Sequence, residues 1–322
     1  MLGDYPDNLP QRIDFVLLPG FSLIGFSAMV EPLRWANSIA GKQLYRWQVM
    51  SVDGEPVQAS NQMALPADRP VRDPCEADTV IVCAGFDPQA HVSNTLTSAL
   101  RRFNSQGIDI GAQDTGTYIL ASAGLLEGYR ATIHWENISS FADQFPRVKL
   151  INDIFEIDRN RFSCSGGLSG LDMILHLIQS QHGQALAMSV SDELIYSHIR
   201  GADHPQRMSI QNRLGVTNAK LIAAIKIMSR SLENPATIPE LAAEVYVSER
   251  ELERLFKKYL KQTPSAFYRD LRLEQARQLL QQTGRSVTNI AVSCGFTSSS
   301  HFSRCYLNKY GCAPSRDRKA DS

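Results

Sequence analysis

At 322 residues, with 33 basic and 33 acidic side chains and a formal net charge of zero, the chain is long enough for two domains. We expect no secretory signal, because the tail formed by residues 1–12 is polar and contains proline, and no apolar run has the length of a membrane span. The six cysteines form no Cys-x-x-Cys pair and the seven histidines are scattered, so we predict a cytoplasmic protein with reduced thiols and neither a metal site nor a cofactor.

Short apolar runs predict β-strands in the first two hundred residues. They occupy residues 13–18, 47–52, 79–84 and 108–112, with helical patterns between them. This alternation is typical of a mainly parallel sheet with helices on both faces, and we predict a flavodoxin-like α/β domain over residues 13–199. Ligands of such sheets bind at the carboxyl ends of strands, so the loops after Leu18, Ala84 and Ala112 are the candidate site.

The loop after Ala112 contains the residues on which any catalytic activity of this domain would depend. The segment "IDIGAQDTGTYILASAGLL" predicts a strand, a sharp turn at residues 113–116 and a helix, which is the shape of a nucleophile elbow. Together with "YRATIHWENISSF" at 129–141, "LLPGFSLIGFSAMVEPLR" and "CSGGLSGLDMILHLI", it resembles the PfpI/ThiJ branch of the class I glutamine amidotransferase superfamily. In enzymes of that family a cysteine occupies the elbow, a histidine follows twenty positions later, and an acidic residue follows the first strand.

This sequence departs from that catalytic pattern. Asp114 occupies the elbow, His134 lies twenty positions later, and Gly25 falls where the acidic partner belongs, although Glu31 follows downstream. A carboxylate cannot replace a thiolate in acyl transfer from an amide. We therefore predict a retired catalytic site that still binds a ligand; the alternative is a hydrolase that uses Asp114 and His134.

The residues around the elbow suit a small cationic or zwitterionic nitrogen compound. An ionised Asp114 would attract a guanidinium or quaternary ammonium group, and Trp135 could add a cation–π contribution of roughly 0.5 to 2 kcal/mol. The glycine-rich turn "CSGGLSG" at 164–170 opens a helix and offers backbone N–H groups to a carboxylate. The predicted ligand-binding residues are Glu31, Asp114, Thr115, His134, Trp135, Ser165, Gly166 and Gly167.

Structural alternatives exist for three of these residues. Asp114 could N-cap the helix that starts at Thr115. His134 could be a packed and hydrogen-bonded side chain, and Glu31 could begin a helix and anchor Arg34.

A polar connection containing Gly201 and Pro205 follows, and we interpret residues 200–215 as a linker. A second, all-α domain is predicted over residues 216–316. From Thr217 onward the chain has 17 basic and 10 acidic residues, whereas the remainder has 16 and 23. This basic excess at one end favours contact with phosphates.

The second domain contains one helical pattern twice. In the first copy Thr237 and Glu240 form a capping box, and Ser248 with Glu251 begins a second helix. The second copy begins at Ser286 with an offset of 49 residues, and its turn is one residue longer. A long helix at 264–282 lies between the two copies. The pattern predicts two helix-turn-helix units joined by a rigid bridge.

Residues 218–314 resemble the DNA-binding domain of the AraC/XylS family, most clearly in "RLEQARQLL" at 272–280 and "IAVSCGFTSSSHFSRCYLNKYGCAP" at 290–314. The resemblance implies that the second helix of each unit enters a major groove. The residues it places against DNA are Arg250, Glu253, Arg254 and Lys257 in the first unit and Ser299, Ser300, His301 and Arg304 in the second. Lys257, Lys258, Lys261 and Lys309 are expected to meet phosphates or solvent, and solvated outer faces remain the alternative for all of these residues. The family often has an aromatic residue after its final proline, which "APSRDRKADS" lacks.

The two halves together resemble amidotransferase-like sensor regulators whose effectors include arginine, glycine betaine and carnitine. The resemblance implies a transcription regulator, and we predict an activator of a catabolic operon. Its expected partners are double-stranded operator DNA, a small-molecule effector, RNA polymerase and a second copy of the chain in a homodimer.

Overall fold

The computed structural model describes residues 9–318. It divides between Gln206 and Arg207 into two compact units, inside the connection that we expected to be a linker. None of the helices in the described part of the chain is long and apolar enough to cross a membrane.

The first unit is built on a seven-stranded sheet in the order β10-β11-β7-β6-β1-β2-β5. All neighbouring strands in it are parallel except β10 and β11. The strands of the unit are β1 (Gln11–Leu17), β2 (Tyr45–Ser51), β3 (Val57–Gln58), β4 (Ala64–Leu65), β5 (Arg69–Pro70), β6 (Thr79–Cys83), β7 (Asp109–Gln113), β8 (Arg130–Ala131), β9 (Lys149–Leu150), β10 (Phe155–Asp158) and β11 (Arg161–Cys164). The mainly parallel sheet expected from the sequence is confirmed, and the four predicted strands correspond to β1, β2, β6 and β7.

Helices cover both faces of this sheet. They are α1 (Leu23–Ala40), α2 (Asn94–Ser105), α3 (Gly116–Ser122), α4 (Ile138–Gln144), α5 (Ser169–His182) and α6 (Gln184–Glu193), with 3₁₀ turns at Pro88–His91 and Trp135–Asn137. Successive residues of β1 point to opposite faces, so Phe15 and Leu17 join one apolar core while Val16 joins the other. Because both faces are buried, β1 reads as a nearly continuous apolar run.

The second unit is entirely helical in its described part. Its helices are α7 (Ile210–Leu214), α8 (Ala219–Arg230), α9 (Ile238–Glu244), α10 (Glu249–Leu260), α11 (Pro264–Gln282), α12 (Val287–Ser293), α13 (Ser299–Tyr310) and α14 (Pro314–Asp317). The two predicted helix-turn-helix units are α9–α10 and α12–α13, and the bridging helix is α11. Four residues separate α9 from α10 and five separate α12 from α13, as the sequence spacing indicated.

The predicted capping pattern of the first helix-turn-helix is only partly correct. Thr237 and Glu240 form the reciprocal capping box. Ser248 accepts a hydrogen bond from the N–H of Glu251, but the Glu251 carboxylate does not return one. It accepts two hydrogen bonds of 2.7 Å from Arg254 instead. Glu251 and Arg254 are three residues apart on α10, a spacing that brings oppositely charged side chains together.

The bridging helix α11 belongs to the cores of both helix-turn-helix units. Phe267 packs in the first core and Ala276 in the second. The Arg272 guanidinium carbon lies 4.7 Å from the ring centre of Phe296, and Nη1 donates a 3.0 Å hydrogen bond to the Gly295 carbonyl. The turn of the second helix-turn-helix, between α12 and α13, is therefore bound directly to the bridging helix.

The chain end lacks the family's aromatic residue and uses an ionic network instead. Asp317 on α14 is buried and accepts hydrogen bonds from Nε of Arg277 at 2.9 Å and from the Tyr306 hydroxyl at 2.5 Å. Tyr306 belongs to the core of the second helix-turn-helix and Arg277 lies on α11. These two donors hold α14 against that part of the domain without an aromatic side chain on α14.

Candidate functional site

The elbow after β7 has the sharp geometry that the sequence predicted. Asp114 adopts a left-handed backbone with φ of 58°, and its N–H donates a 2.9 Å hydrogen bond to the Cys164 carbonyl on β11. A Cβ atom at Gly116 would lie 2.2 Å from the Val82 carbonyl oxygen, so only glycine lets α3 begin this close to the sheet. Thr115, and not Asp114, is the N-cap residue of α3. The capping alternative for Asp114 is therefore wrong.

Asp114 is a weaker acid at this position than an aspartate in water. Its pKa is raised to about 7, mainly by burial and to a smaller degree by the nearby Glu136 charge, while a hydrogen bond from the backbone N–H of Thr115 acts in the opposite direction. We expected an ionised carboxylate; near neutral pH the group is instead divided between its two protonation states. Burial also raises the pKa of the neighbouring Cys164 thiol to about 12 and that of Cys83 well above its usual value. Neither thiol supplies the thiolate that the elbow lacks.

A cavity of about 490 Å³ lies beside the elbow. Its wall is formed by Ile154 and by three segments of the first unit: the turn at 134–135, the glycine-rich turn at 165–169, and residues 196–206, which we call the strap. The lining residues are His134, Trp135, Ile154, Ser165, Gly166, Gly167, Leu168, Ser169, Tyr196, His198, Arg200 and Gln206. Gly166 and Gly167 have φ values of 93° and 55°, which few other residues adopt at low cost.

Five of the eight predicted ligand-binding residues line this cavity, namely His134, Trp135, Ser165, Gly166 and Gly167. Asp114 is not among the lining residues, but its carboxylate lies directly against the wall, because a Cβ atom at Gly166 would be 2.6 Å from its Oδ2. Its predicted influence on a bound cation would therefore act from beside the glycine-rich turn, and it stays a prediction.

Thr115 and Glu31 are also absent from the cavity wall. The buried Thr115 hydroxyl donates a 2.5 Å hydrogen bond to the Gly85 carbonyl. Glu31 lies in the middle of α1 and accepts a 2.8 Å hydrogen bond from Arg34, so it anchors that arginine without beginning the helix. Both side chains already have partners away from the cavity.

The strap supplies four lining residues that the sequence analysis missed. Asp172 on α5 is fully buried and binds Arg200 through hydrogen bonds of 2.9 Å from Nε and 2.7 Å from Nη2. It also accepts 3.0 Å and 2.7 Å hydrogen bonds from the Tyr196 hydroxyl and the Arg200 backbone N–H. An aspartate inside the apolar run "GLDMILHLI" was the available signal, since a buried carboxylate requires a cationic or hydrogen-bonding partner.

The first part of the expected linker is docked on the first unit. The N–H of Ile154 donates to the Ala202 carbonyl at 3.1 Å, and Asp153 forms an isolated β-bridge with Pro205. Residues 200–206 therefore belong to the first unit and not to the linker expected at 200–215, and two of them, Arg200 and Gln206, line the cavity. These backbone hydrogen bonds are long-range contacts, which local composition does not reveal.

The outer faces of α10 and α13 present the predicted DNA-contacting residues. All eight are exposed: Arg250, Glu253, Arg254, Lys257, Ser299, Ser300, His301 and Arg304. Nε2 of His301 lies 3.3 Å from the Cys305 sulfur. Lys309 donates hydrogen bonds to the Asp270 carbonyl at 3.0 Å and to Glu274 at 3.1 Å. These hydrogen bonds attach Lys309 to α11, and its contact with phosphate or solvent stays a prediction.

Comparison with known proteins agrees with both halves of this architecture. The profile of the DJ-1/PfpI family matches residues 11–172, and that of a helix-turn-helix domain matches residues 241–320. The HTH-type transcriptional regulator CdhR of Pseudomonas aeruginosa is 45% identical over 310 residues, covering 96% of this chain and 92% of its own. GbdR and ArgR are two further HTH-type transcriptional regulators of that organism. GbdR is 43% identical, and the alignment covers 98% of this chain and 87% of GbdR. ArgR is 38% identical, and the alignment covers 96% of this chain and 93% of ArgR.

The chain belongs to the AraC-type transcriptional regulators with a DJ-1/PfpI domain. A solved AraC family transcriptional regulator from Pseudomonas putida superposes with a TM-score of 0.52 at 27% identity, over 57% of this regulator and all of that chain. A ThiJ/PfpI family protein from Pseudomonas syringae, at 17% identity and a TM-score of 0.51 over 80% of the regulator and 90% of its own chain, shares the fold. The resemblance inferred from the elbow and from the doubled helix-turn-helix is confirmed.

Proposed function

We propose that the regulator controls transcription in response to a small cationic or zwitterionic nitrogen compound bound in the cavity beside the elbow. The observation that carries this proposal is the composition of the cavity wall, where aromatic rings, an arginine and a glycine-rich helix start face one space. A pocket of a few hundred Å³ with a few convergent polar groups is typical of small-molecule sites.

The wall offers a place for each end of a zwitterion. Trp135 and Tyr196 can contact an organic cation, which binds favourably against aromatic rings. The turn at Gly166 and Gly167 precedes the 14-residue helix α5, whose first N–H groups favour an anion. Arg200 provides a second anion-binding group, because Nη1 remains for a ligand after Nε and Nη2 bind Asp172.

A thermal-shift panel on the full chain tests the proposal. The compounds are arginine, ornithine, glycine betaine, dimethylglycine, choline and carnitine. A compound that binds only the folded protein is expected to stabilise it by about 2.7 kcal/mol at a hundredfold excess over Kd. A reporter fused to a promoter fragment selected by the protein then gives the direction of control, with increased expression expected for an activator. No shift with any compound would contradict the proposed effector class.

DNA binding by the exposed faces of α10 and α13 is expected to be strongly salt-dependent. Phosphate contacts release counterions, so log K should fall linearly with log salt concentration. Fluorescence anisotropy of the full chain on the selected fragment measures this slope. Lys257→Ala should reduce the magnitude of this slope by about one and lower the affinity for all DNA sequences by the same factor. An unchanged slope would remove Lys257 from the phosphate contacts.

Cation binding is expected to strengthen as pH rises. With a pKa of about 7, Asp114 is ionised in about one tenth of molecules at pH 6 and about nine tenths at pH 8. If the cation requires the carboxylate, its affinity should be about tenfold greater at pH 8. Titration calorimetry at both values measures the ratio. Asp114→Asn is the control, because it removes the carboxylate and leaves every side chain that lines the cavity in place. Equal pH dependence in the variant would show that Asp114 does not affect the ligand.

A further inference from the structure

Gln206, the last residue of the first unit, has an unusual side-chain environment. Its Nε2 donates hydrogen bonds to Oγ1 of Thr132 at 3.0 Å, to the Ile133 carbonyl at 3.0 Å and to the Asp153 carbonyl at 2.9 Å. Two of these partners are carbonyl oxygens, which only accept, so the orientation of the amide is determined. The amide oxygen must therefore point away from them.

That oxygen, Oε1, is buried and accepts no hydrogen bond from any residue in the described range 9–318. A buried acceptor without a donor destabilises a fold, and structures retain one where a ligand or a water supplies the donor. Gln206 also lines the cavity beside the elbow. A positively polarised nitrogen group that reached this oxygen from the cavity would supply the partner it lacks.

We infer that Gln206 contacts the positively charged nitrogen end of the effector and thereby joins the occupied cavity to the chain segment that enters the DNA-binding unit. The inference rests on the proposed function, because it requires a cationic effector in this cavity. Arg200 lines the same cavity six residues earlier in the strap. A zwitterion that contacts both residues is held by the strap at its carboxylate and at its nitrogen.

The position of Gln206 in the chain gives this contact its consequence. Gln206 is the last residue of the first unit and Arg207 the first residue of the second, so the ligand-contacting side chain lies one peptide bond from the segment that continues into the DNA-binding unit. A ligand alters DNA binding only if it binds one arrangement of the protein more tightly than another. We expect the ligand contact to favour one placement of the segment that follows Gln206, which is the kind of difference that a change in DNA affinity requires.

The test compares Gln206→Met with wild type and with His204→Ala in the full chain. Methionine keeps the length of the side chain but removes both polar atoms. His204 lies in the same strap, is exposed, and is not among the cavity-lining residues, which makes it a matched control. The probes are L-arginine and glycine betaine, because one carries N–H donors and the other only N-methyl groups. Calorimetry measures Kd, and anisotropy measures DNA affinity with and without saturating probe.

For whichever probe binds the wild type, we expect Gln206→Met to weaken binding at least tenfold and to abolish the probe's effect on DNA affinity. His204→Ala should retain both. A Gln206→Met protein that binds the probe and alters its DNA affinity as wild type does would overturn the inference while leaving the proposed function intact. If the wild type binds neither probe, nor any other member of the panel, the proposed function fails and the inference fails with it.

Discussion

Arg200→Met is expected to lower the free energy of unfolding of the first unit by about 3 kcal/mol, at the lower end of the range for breaking a buried ion pair. The substitution leaves the fully buried Asp172 carboxylate without its cationic partner. The pair itself is worth less than this figure, because burying both charges costs free energy as well. The loss arises from leaving one charge buried and unpaired.

Tryptophan fluorescence during urea denaturation measures this effect selectively. The three tryptophans are Trp35, Trp47 and Trp135, all in the first unit, so the signal reports that unit. Arg147→Met is the matched control, because Arg147 pairs with Glu127 at 2.5 Å but is 77% exposed. Exposed pairs contribute about 0 to 1 kcal/mol. The double variant Asp172→Asn, Arg200→Met should recover part of the loss. Equal effects of Arg200→Met and Arg147→Met would show that the strap pair is not needed for stability.

Arg304→Ala is expected to weaken binding to the selected operator roughly tenfold to a hundredfold and to relax sequence preference at one base pair. An arginine that binds guanine through two hydrogen bonds contributes about 1 to 3 kcal/mol of discrimination. Arg304 is exposed on α13, in the place that Arg254 occupies on α10. Arg254→Ala should have the smaller effect, because its guanidinium is already bound by Glu251 and a DNA contact must compete with that pair.

Anisotropy on the operator and on an unrelated duplex distinguishes base contact from loss of charge. Arg316→Ala removes one exposed positive charge from α14, outside both recognition helices, and serves as the control. It should reduce affinity only slightly and equally for both duplexes. If Arg304→Ala also weakened both duplexes equally, Arg304 would be a phosphate contact and not a base contact.

The second unit was predictable because its signals are local. Capping residues such as Thr237 and Ser286 lie next to the helices they begin, and apolar spacing identifies each helix face within one or two turns. The bridging helix at 264–282 was predicted with its observed limits for the same reason. In the first unit, the long strands were predicted from apolar runs, whereas two-residue strands such as β3 and β8 carry no such pattern.

The cavity was only partly predictable. The elbow and the glycine turn are short motifs, so Asp114 and Gly166 could be identified from neighbouring residues. Arg200, however, meets Asp172 across 28 positions in the chain, and Gln206 meets Thr132 across 74. Such contacts depend on the tertiary fold. The protonation of Asp114 likewise depends on burial by segments distant in sequence, which is why an ionised group was expected.

The place of α11 in both cores has a consequence for the operator. A 19-residue helix is about 28 Å long, and Arg272 binds it to the turn of the second helix-turn-helix. The two recognition helices of one molecule, α10 and α13, are thus held at a constant separation. Inserting base pairs between the two halves of its site cannot be accommodated by stretching the protein, whether five pairs or a full turn is added. The number of base pairs between the two sequences that one molecule contacts is therefore expected to be the same in every promoter that this regulator controls.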